Sequence, residues 1–186
     1  MTEYSAQDDL ELVQMARQGD KAAFSALVHR HEPVVAATVK GMLGNGEDAE
    51  DVGQNVFIRF YHALGDFRGD AALPTYLTRI AINLSLNELR RRQRRRLLFM
   101  APSDGEVRPE QGLQVDEEQS RDTGEAVDLA LQKLPPKYRS VVVLRMIQGY
   151  STKETAKILS LPQGTVLSRL ARAQEKLKEL LKHLIG

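Results

Sequence analysis

Residues 149–177 read GYSTKETAKILSLPQGTVLSRLARAQEKL, and the spacing within them decides the fold. Ser151 followed by Glu154 is an S-x-x-E capping box, which starts a helix at Thr152. Ser160-Leu161-Pro162 breaks that helix, and Pro162 suits the first position of the next. In the second helix Val166, Leu170, Ala173 and Leu177 recur at i, i+4, i+7 and i+11, which is a core stripe. Thr165, Ser168, Arg169 and Arg172 recur at i, i+3, i+4 and i+7, a separate polar and cationic stripe. A short helix packed behind a second helix with such an outward face is the helix-turn-helix layout for reading a DNA major groove.

The rest of the chain also reads as helical. Residues 125–134 form a helix, Pro135-Pro136 a break, and residues 137–148 a strongly apolar helix. Residues 8–18 place Leu10, Val13 and Ala16 on one side. Gly19-Asp20 then breaks the chain and caps a long helix from Lys21 to about Leu43. Gly44-Asn45-Gly46 is a turn signal. Asp48 is placed to cap a helix from Ala49 to about Leu64, with Val52, Val56, Phe60 and Ala63 as its apolar stripe. A loop follows from Gly65 to Leu73. Pro74 then starts a helix to about Arg92 with Leu77, Ile80, Ala81 and Leu84 inward. Residues 101–124 hold Pro102, Gly105, Pro109, Gly112 and Gly124 with little apolar content, the composition of a disordered or extended linker. The expected fold class is all-α: small helical domains at residues 1–97 and 125–186, joined by an acidic flexible linker over 98–124.

Composition narrows the function. The 186 residues contain no cysteine, which excludes disulfides, zinc fingers and thiol catalysis. The amino-terminal residues lack a basic region followed by an apolar stretch, so no signal peptide is expected. No apolar run approaches the ~18 residues that span a bilayer, so no membrane insertion is expected. Both points suit a cytoplasmic location. The net charge of +1 conceals strong segregation. Residues 1–66 hold five basic and eleven acidic residues (−6), and residues 67–97 hold eight and two (+6). Residues 98–125 hold two and eight (−6), and residues 126–186 hold eleven and four (+7). Two basic blocks around an acidic one, beside a helix-turn-helix, point to two sites for a polyanion and other surfaces for a different partner. His29, His31 and Glu32 read as surface residues, because i and i+2 side chains on a helix point apart. No catalytic triad spacing, phosphate-binding glycine loop or calcium loop is present. No enzyme activity, metal or cofactor is expected.

Ordered motifs carry a family resemblance. DAEDVGQNVFIRFYHAL (48–64) resembles conserved region 2.2 of the group 4, or extracytoplasmic-function (ECF), sigma factors of bacterial RNA polymerase, within the sigma-70 family. TYLTRIAINLSLNELRRRQRR (75–95) resembles regions 2.3–2.4. LQKLPPKYRSVVVLRMIQGYSTKETAKIL (131–159) resembles region 4.1 and the first part of 4.2, and LPQGTVLSRLARAQEKL (161–177) resembles the promoter-reading helix. The chain departs from the pattern at Gly53, at Asn55 where an acidic residue is usual, and at Tyr76 where Trp is usual. It departs again at Leu167, where a basic residue is common, and at Ala171.

The resemblance implies a non-enzymatic subunit that binds core polymerase through its clamp and flap regions, directs it to promoter DNA and helps open the duplex. Asp51, Gln54, Asn55, Ile58 and Arg59 lie outward on the 48–64 helix, which in the family docks on the clamp. For the upstream −35 element, Ser168 and Arg172 lead the base-edge candidates, followed by Gln163, Thr165 and Arg169. Arg169 fits a phosphate contact or a structural ion pair equally well, and Leu167 fits either a thymine methyl or packing. Lys153 and Lys157 face phosphates, which set register without carrying sequence information. For opening the −10 element, trapped bases call for aromatic pockets beside cations. Phe67, Arg68, Thr75, Tyr76, Arg79 and Asn83 supply them, with Arg90 and Arg91 leading an arginine run that includes Arg92, Arg94, Arg95 and Arg96. Against this, Phe67 and Tyr76 also fit the core, and the arginine run also fits a solvated helix end. The linker reads equally as a segment threading the polymerase cleft and as a tether. An anti-sigma factor is a further candidate partner.

Overall fold

The computed structural model of the chain describes residue 4, residues 7–99 and residues 123–185. These form an all-α structure of two helical bundles. The first comprises α1 (Asp9–Arg17), α2 (Lys21–Leu43), α3 (Glu47–His62) and α4 (Leu73–Phe99), with a 3-10 turn at Leu64–Asp66. The second comprises α5 (Thr123–Lys133), α6 (Pro136–Val142), α7 (Thr152–Leu159) and α8 (Gln163–Ile185). Of the expected linker, residues 100–122 lie outside the described residues. Among the described residues no helix is long and apolar enough to cross a membrane.

Local chemistry explains most helix starts. Asp8 caps α1 by accepting from the Glu11 N–H, and Asp20 caps α2 by accepting from Ala22 and Ala23. Ser151 and Glu154 form the full reciprocal capping box of α7. Ser160, in the left-handed conformation at φ 53°, turns the chain toward α8. Pro162 stands just ahead of that helix, its carbonyl accepting from the Thr165 and Val166 N–H groups.

Four sequence expectations are corrected. On α1, Leu12 is buried with Val13 and Ala16, while Leu10 points out. Asp48 is not the cap of α3, whose capping position is Gly46 with no side-chain bond. The Asp48 carboxylate instead reaches α4, accepting from Arg92 Nε at 3.0 Å. The inward face of α4 includes Leu77, Thr78, Ala81, Ile82 and Ser85, whereas Ile80 and Leu84 are only partly buried. That face is wide because α4 packs on α2 and α3 and also on α6 and α7 of the other bundle. Finally, the expected 137–148 helix changes character at Val143. A π-helical turn occupies Val143–Ile147, with the Gln148 N–H donating to the Val143 carbonyl at 2.9 Å.

The helix-turn-helix has a small core of Val141, Ala156 and Val166. The main core is continuous across the bundles, running from Leu12 and Phe60 through Leu77 and Ile82 to Leu144 and Ile158.

Candidate nucleic-acid interface

The reading face of the helix-turn-helix is open. Gln163, Leu167, Ser168 and Arg172 on α8 are exposed, and Thr165 and Arg169 are half-buried beside them. Ser168 Oγ donates to the Thr165 carbonyl at 3.1 Å, so its hydroxyl is turned to its own helix here. Among the described residues neither Arg169 nor Arg172 has an ion-pair partner. That removes the structural ion pair from the readings of Arg169. Leu167 is 55% exposed, which removes packing from its readings. Lys153 and Lys157 are exposed on α7. The capping box leaves the Glu154 carboxyl below its ordinary range, chiefly through its hydrogen bond with the Ser151 side chain.

The second cationic site is a cleft of about 460 Å³ formed by the 66–71 loop and the start of α4. Phe67, Arg68, Thr75, Tyr76 and Arg79 all line it. They contribute unequally. Phe67 is buried, its ring edge-on to Phe60 at 6.0 Å between centroids and packed on Tyr76 at 5.0 Å. Tyr76 is half-buried, and the Arg79 guanidinium lies 5.4 Å from its ring centroid, within cation–π range. Phe67 therefore belongs to the floor, and Tyr76 with Arg79 forms the aromatic and cationic surface. Asn83, one turn beyond Arg79, is exposed outside the lining residues. Arg17, which sequence reasoning missed, positions the loop by donating from Nε to the Leu64 carbonyl at 2.6 Å and from Nη2 to the Phe67 carbonyl. Its partners lie about fifty residues away, so no local pattern reveals it.

The arginine run divides. Glu88 is almost fully buried; it accepts a hydrogen bond from Arg95 Nη2 at 3.2 Å and forms ion pairs with Arg91 Nε at 2.7 Å and Arg92 Nε at 3.6 Å. Asp48 approaches the same three arginines at 3.8, 3.9 and 3.0 Å. Arg90 donates to Asn87 Oδ1 at 2.9 Å, while Arg94 and Arg96 are exposed with no ion pair among the described residues. Much of the run is thus tied into the fold, and Arg91, a candidate DNA contact, carries a carboxylate already.

On α3, Asp51, Gln54, Asn55, Ile58 and Arg59 are all exposed, opposite buried Val52, Val56 and Phe60. Ile58 and Tyr61 are each 52% exposed on this face, and Tyr61 was not singled out from the sequence. Of the three residues read as surface, His29 and Glu32 are exposed. His31 is buried, its Nε2 3.0 Å from Asp9 Oδ2. Among the described residues no group of three His, Asp or Glu side chains is placed to hold a metal.

Known proteins match this arrangement across both bundles. Residues 27–95 match the family described as Sigma-70 region 2, and residues 124–177 match Sigma-70, region 4. The RNA polymerase sigma-H factor of Pseudomonas aeruginosa is 34% identical, over 96% of this chain and 96% of its own length. The ECF RNA polymerase sigma factor SigW of Bacillus subtilis is 32% identical, over 92% and 96%. Among solved structures, CnrH in complex with the cytosolic domain of CnrY aligns with a TM-score of 0.68 at 30% identity, covering 94% of this chain and 97% of that one. The Bartonella quintana sigma factor RpoE, solved with the anti-sigma factor NepR, shares the fold at a TM-score of 0.65 and 24% identity. The chain therefore belongs to the ECF group of the sigma-70 family, the non-catalytic subunits that work with core RNA polymerase in promoter recognition and transcription initiation.

Proposed function

We propose a two-point grip on the promoter. Residues 125–186 hold the −35 element as duplex, with Arg172 and Ser168 at base edges and Arg169, Lys153 and Lys157 at phosphates. Leu167 offers an apolar contact suited to a thymine methyl. Residues 1–97 open the −10 element and hold a displaced base against Tyr76, beside Arg68, Thr75, Arg79 and Asn83. Arg94, Arg96 and Arg90 attract the adjoining phosphates. The outward face of α3, with Tyr61 added to the five residues named above, docks on the polymerase clamp, and the second bundle meets the flap. An anti-sigma factor is a proposed partner, and the cytoplasm the proposed location. The structural relative CnrH was solved with the cytosolic domain of CnrY bound.

One observation carries this reading best. An open reading face on α8 and an aromatic, cationic cleft on α4 occur in one chain, beside an exposed outward face of α3. The test is in-vitro transcription by core polymerase on a promoter library, with and without the chain. The reading expects chain-dependent initiation at promoters sharing two separated elements. Tight duplex binding by the chain alone, with no initiation, would overturn it.

A further inference from the structure

The loop that carries the cleft is held by a helix outside it. The 3-10 turn Leu64–Asp66 ends at Phe67, whose backbone is extended, so the Leu64 and Phe67 carbonyls lack a following helical turn of N–H donors. Arg17, the last residue of α1, supplies donors to both: Nε to the Leu64 carbonyl at 2.6 Å and Nη2 to the Phe67 carbonyl. A planar guanidinium offers these donors in a fixed fork, which an ammonium does not. Further along the loop, Gly69 has a left-handed backbone at φ +76°, and a Cβ there would meet Leu10 Cδ2 at 3.0 Å. Leu10 is half exposed, so its side chain lies against this loop and not in the core of α1. Helix α1 thus touches the chain on both sides of Arg68, at the Phe67 carbonyl before it and at Gly69 after it. Phe67 and Arg68 both line the cleft, with Tyr76 packed on the Phe67 ring. The match to Sigma-70 region 2 spans residues 27–95, so α1 lies outside it.

We infer that Arg17 is a positioning residue for base capture, its guanidinium setting the 64–69 loop in its binding shape before DNA arrives. The inference rests on the −10 reading proposed above. Ordering a free loop costs conformational entropy residue by residue. A loop already held has met that cost in folding, so more of the base contact appears as affinity. Two donors of Arg17 are committed to backbone carbonyls, which favours this role over a contact between Arg17 itself and DNA. Arg17 is exposed, so truncating it opens no cavity in the core. Its effect on DNA is therefore separable from an effect on folding.

The test uses holoenzyme assembled with core polymerase and two DNA probes. One is a single strand carrying the −10 element of a promoter used by the wild type, and the other a duplex carrying its −35 element alone. Arg17→Ala is expected to bind the single strand roughly ten-fold more weakly and the −35 duplex within about two-fold of wild type. Arg17→Lys keeps the charge without the fork, and is expected to lose roughly three-fold or more on the same single strand. Both variants should keep the wild-type salt slope of single-strand binding, since no phosphate contact is removed. Wild-type affinity of Arg17→Ala for the single strand overturns the inference and leaves the −10 reading intact. Equal losses on both probes also overturn it, because they mark a general loss of structure. Full activity of Arg17→Lys, or a slope lowered by about 0.7, overturns it in favour of a direct phosphate contact. Failure of the wild type to prefer the −10 strand over an unrelated one overturns the −10 reading, and the inference with it.

Discussion

The end of α4 and the α7–α8 pair are both cationic, but their charges are used differently. At the end of α4, Arg91, Arg92 and Arg95 converge on Glu88 and on Asp48, the latter more than 40 residues away in sequence. On α8, Arg169 and Arg172 have no such partner among the described residues, and α7 is held by bonds that reach three residues. The denser arginine run is therefore the less available one. A buried carboxylate draws cations inward because its desolvation is offset only by partners. A reading face must keep its donors free for base edges.

The largest expected effect lies on the tied side. Phe67→Ala should destabilise the fold by about 3–5 kcal/mol, the range for truncating a buried Phe. A shift of the urea midpoint measures it, and a midpoint within error of wild type would return Phe67 to base capture. Glu88→Ala should cost about 1 kcal/mol, since the three arginines it releases are partly exposed to water and keep Asp48 as a partner. Stability left unchanged there would show that the convergence on Glu88 contributes little.

On the free side the expected signs reverse. Arg172→Ala should leave stability within about 0.5 kcal/mol. It should relax −35 preference by about 1–3 kcal/mol, read from competition between promoter variants. Unchanged preference would remove Arg172 from the base-reading set. A smaller effect divides the arginine run itself. Arg94→Ala and Arg96→Ala should each lower the salt slope of holoenzyme–promoter binding by about one unit, and Arg95→Ala by less. Equal slopes for all three would erase the distinction between tied and free cations.

How much was legible in the sequence follows the same divide. Capping boxes, breakers and apolar stripes act within one or two turns, so α7, the turn and α8 were readable, as was the cap Asp20. Asp48 also sits at a plausible cap position, and only the fold shows its carboxylate turned to Arg92. The stripe on α4 was misread because a second bundle covers part of it, and periodicity cannot show which neighbours a helix will have. Arg139 illustrates the limit. Its Met42 partner is 97 residues distant, and nothing in KYRSV marks its guanidinium for burial. Desolvation, aided by the nearby charge of Arg92, lowers its pKa to about 10. Phe67 and Tyr76 were equal candidates for core or cleft, and the packing of Phe60 against Phe67 separated them.

The smallest effect tests the local side of the comparison. Glu154 holds the start of α7 by accepting from the Ser151 N–H at 2.8 Å, and its own N–H donates to Ser151 Oγ at 3.2 Å. The Ser151 side chain, then its backbone N–H, lowers the Glu154 pKa from 4.5, with Arg145 and Lys157 assisting against desolvation. A carboxyl whose pKa is lowered on folding contributes its full stabilisation above the unfolded value. That contribution fades as pH falls through the depressed folded value. Chemical shifts in the first turn of α7 should therefore hold steady down to about pH 4.5 and move below it. In Glu154→Gln the same shifts should stay flat, because the amide does not titrate. Shifts that move alike in both proteins would place the control of α7 outside its capping box, and the contrast between a locally held reading head and a distantly braced α4 would fail at that point.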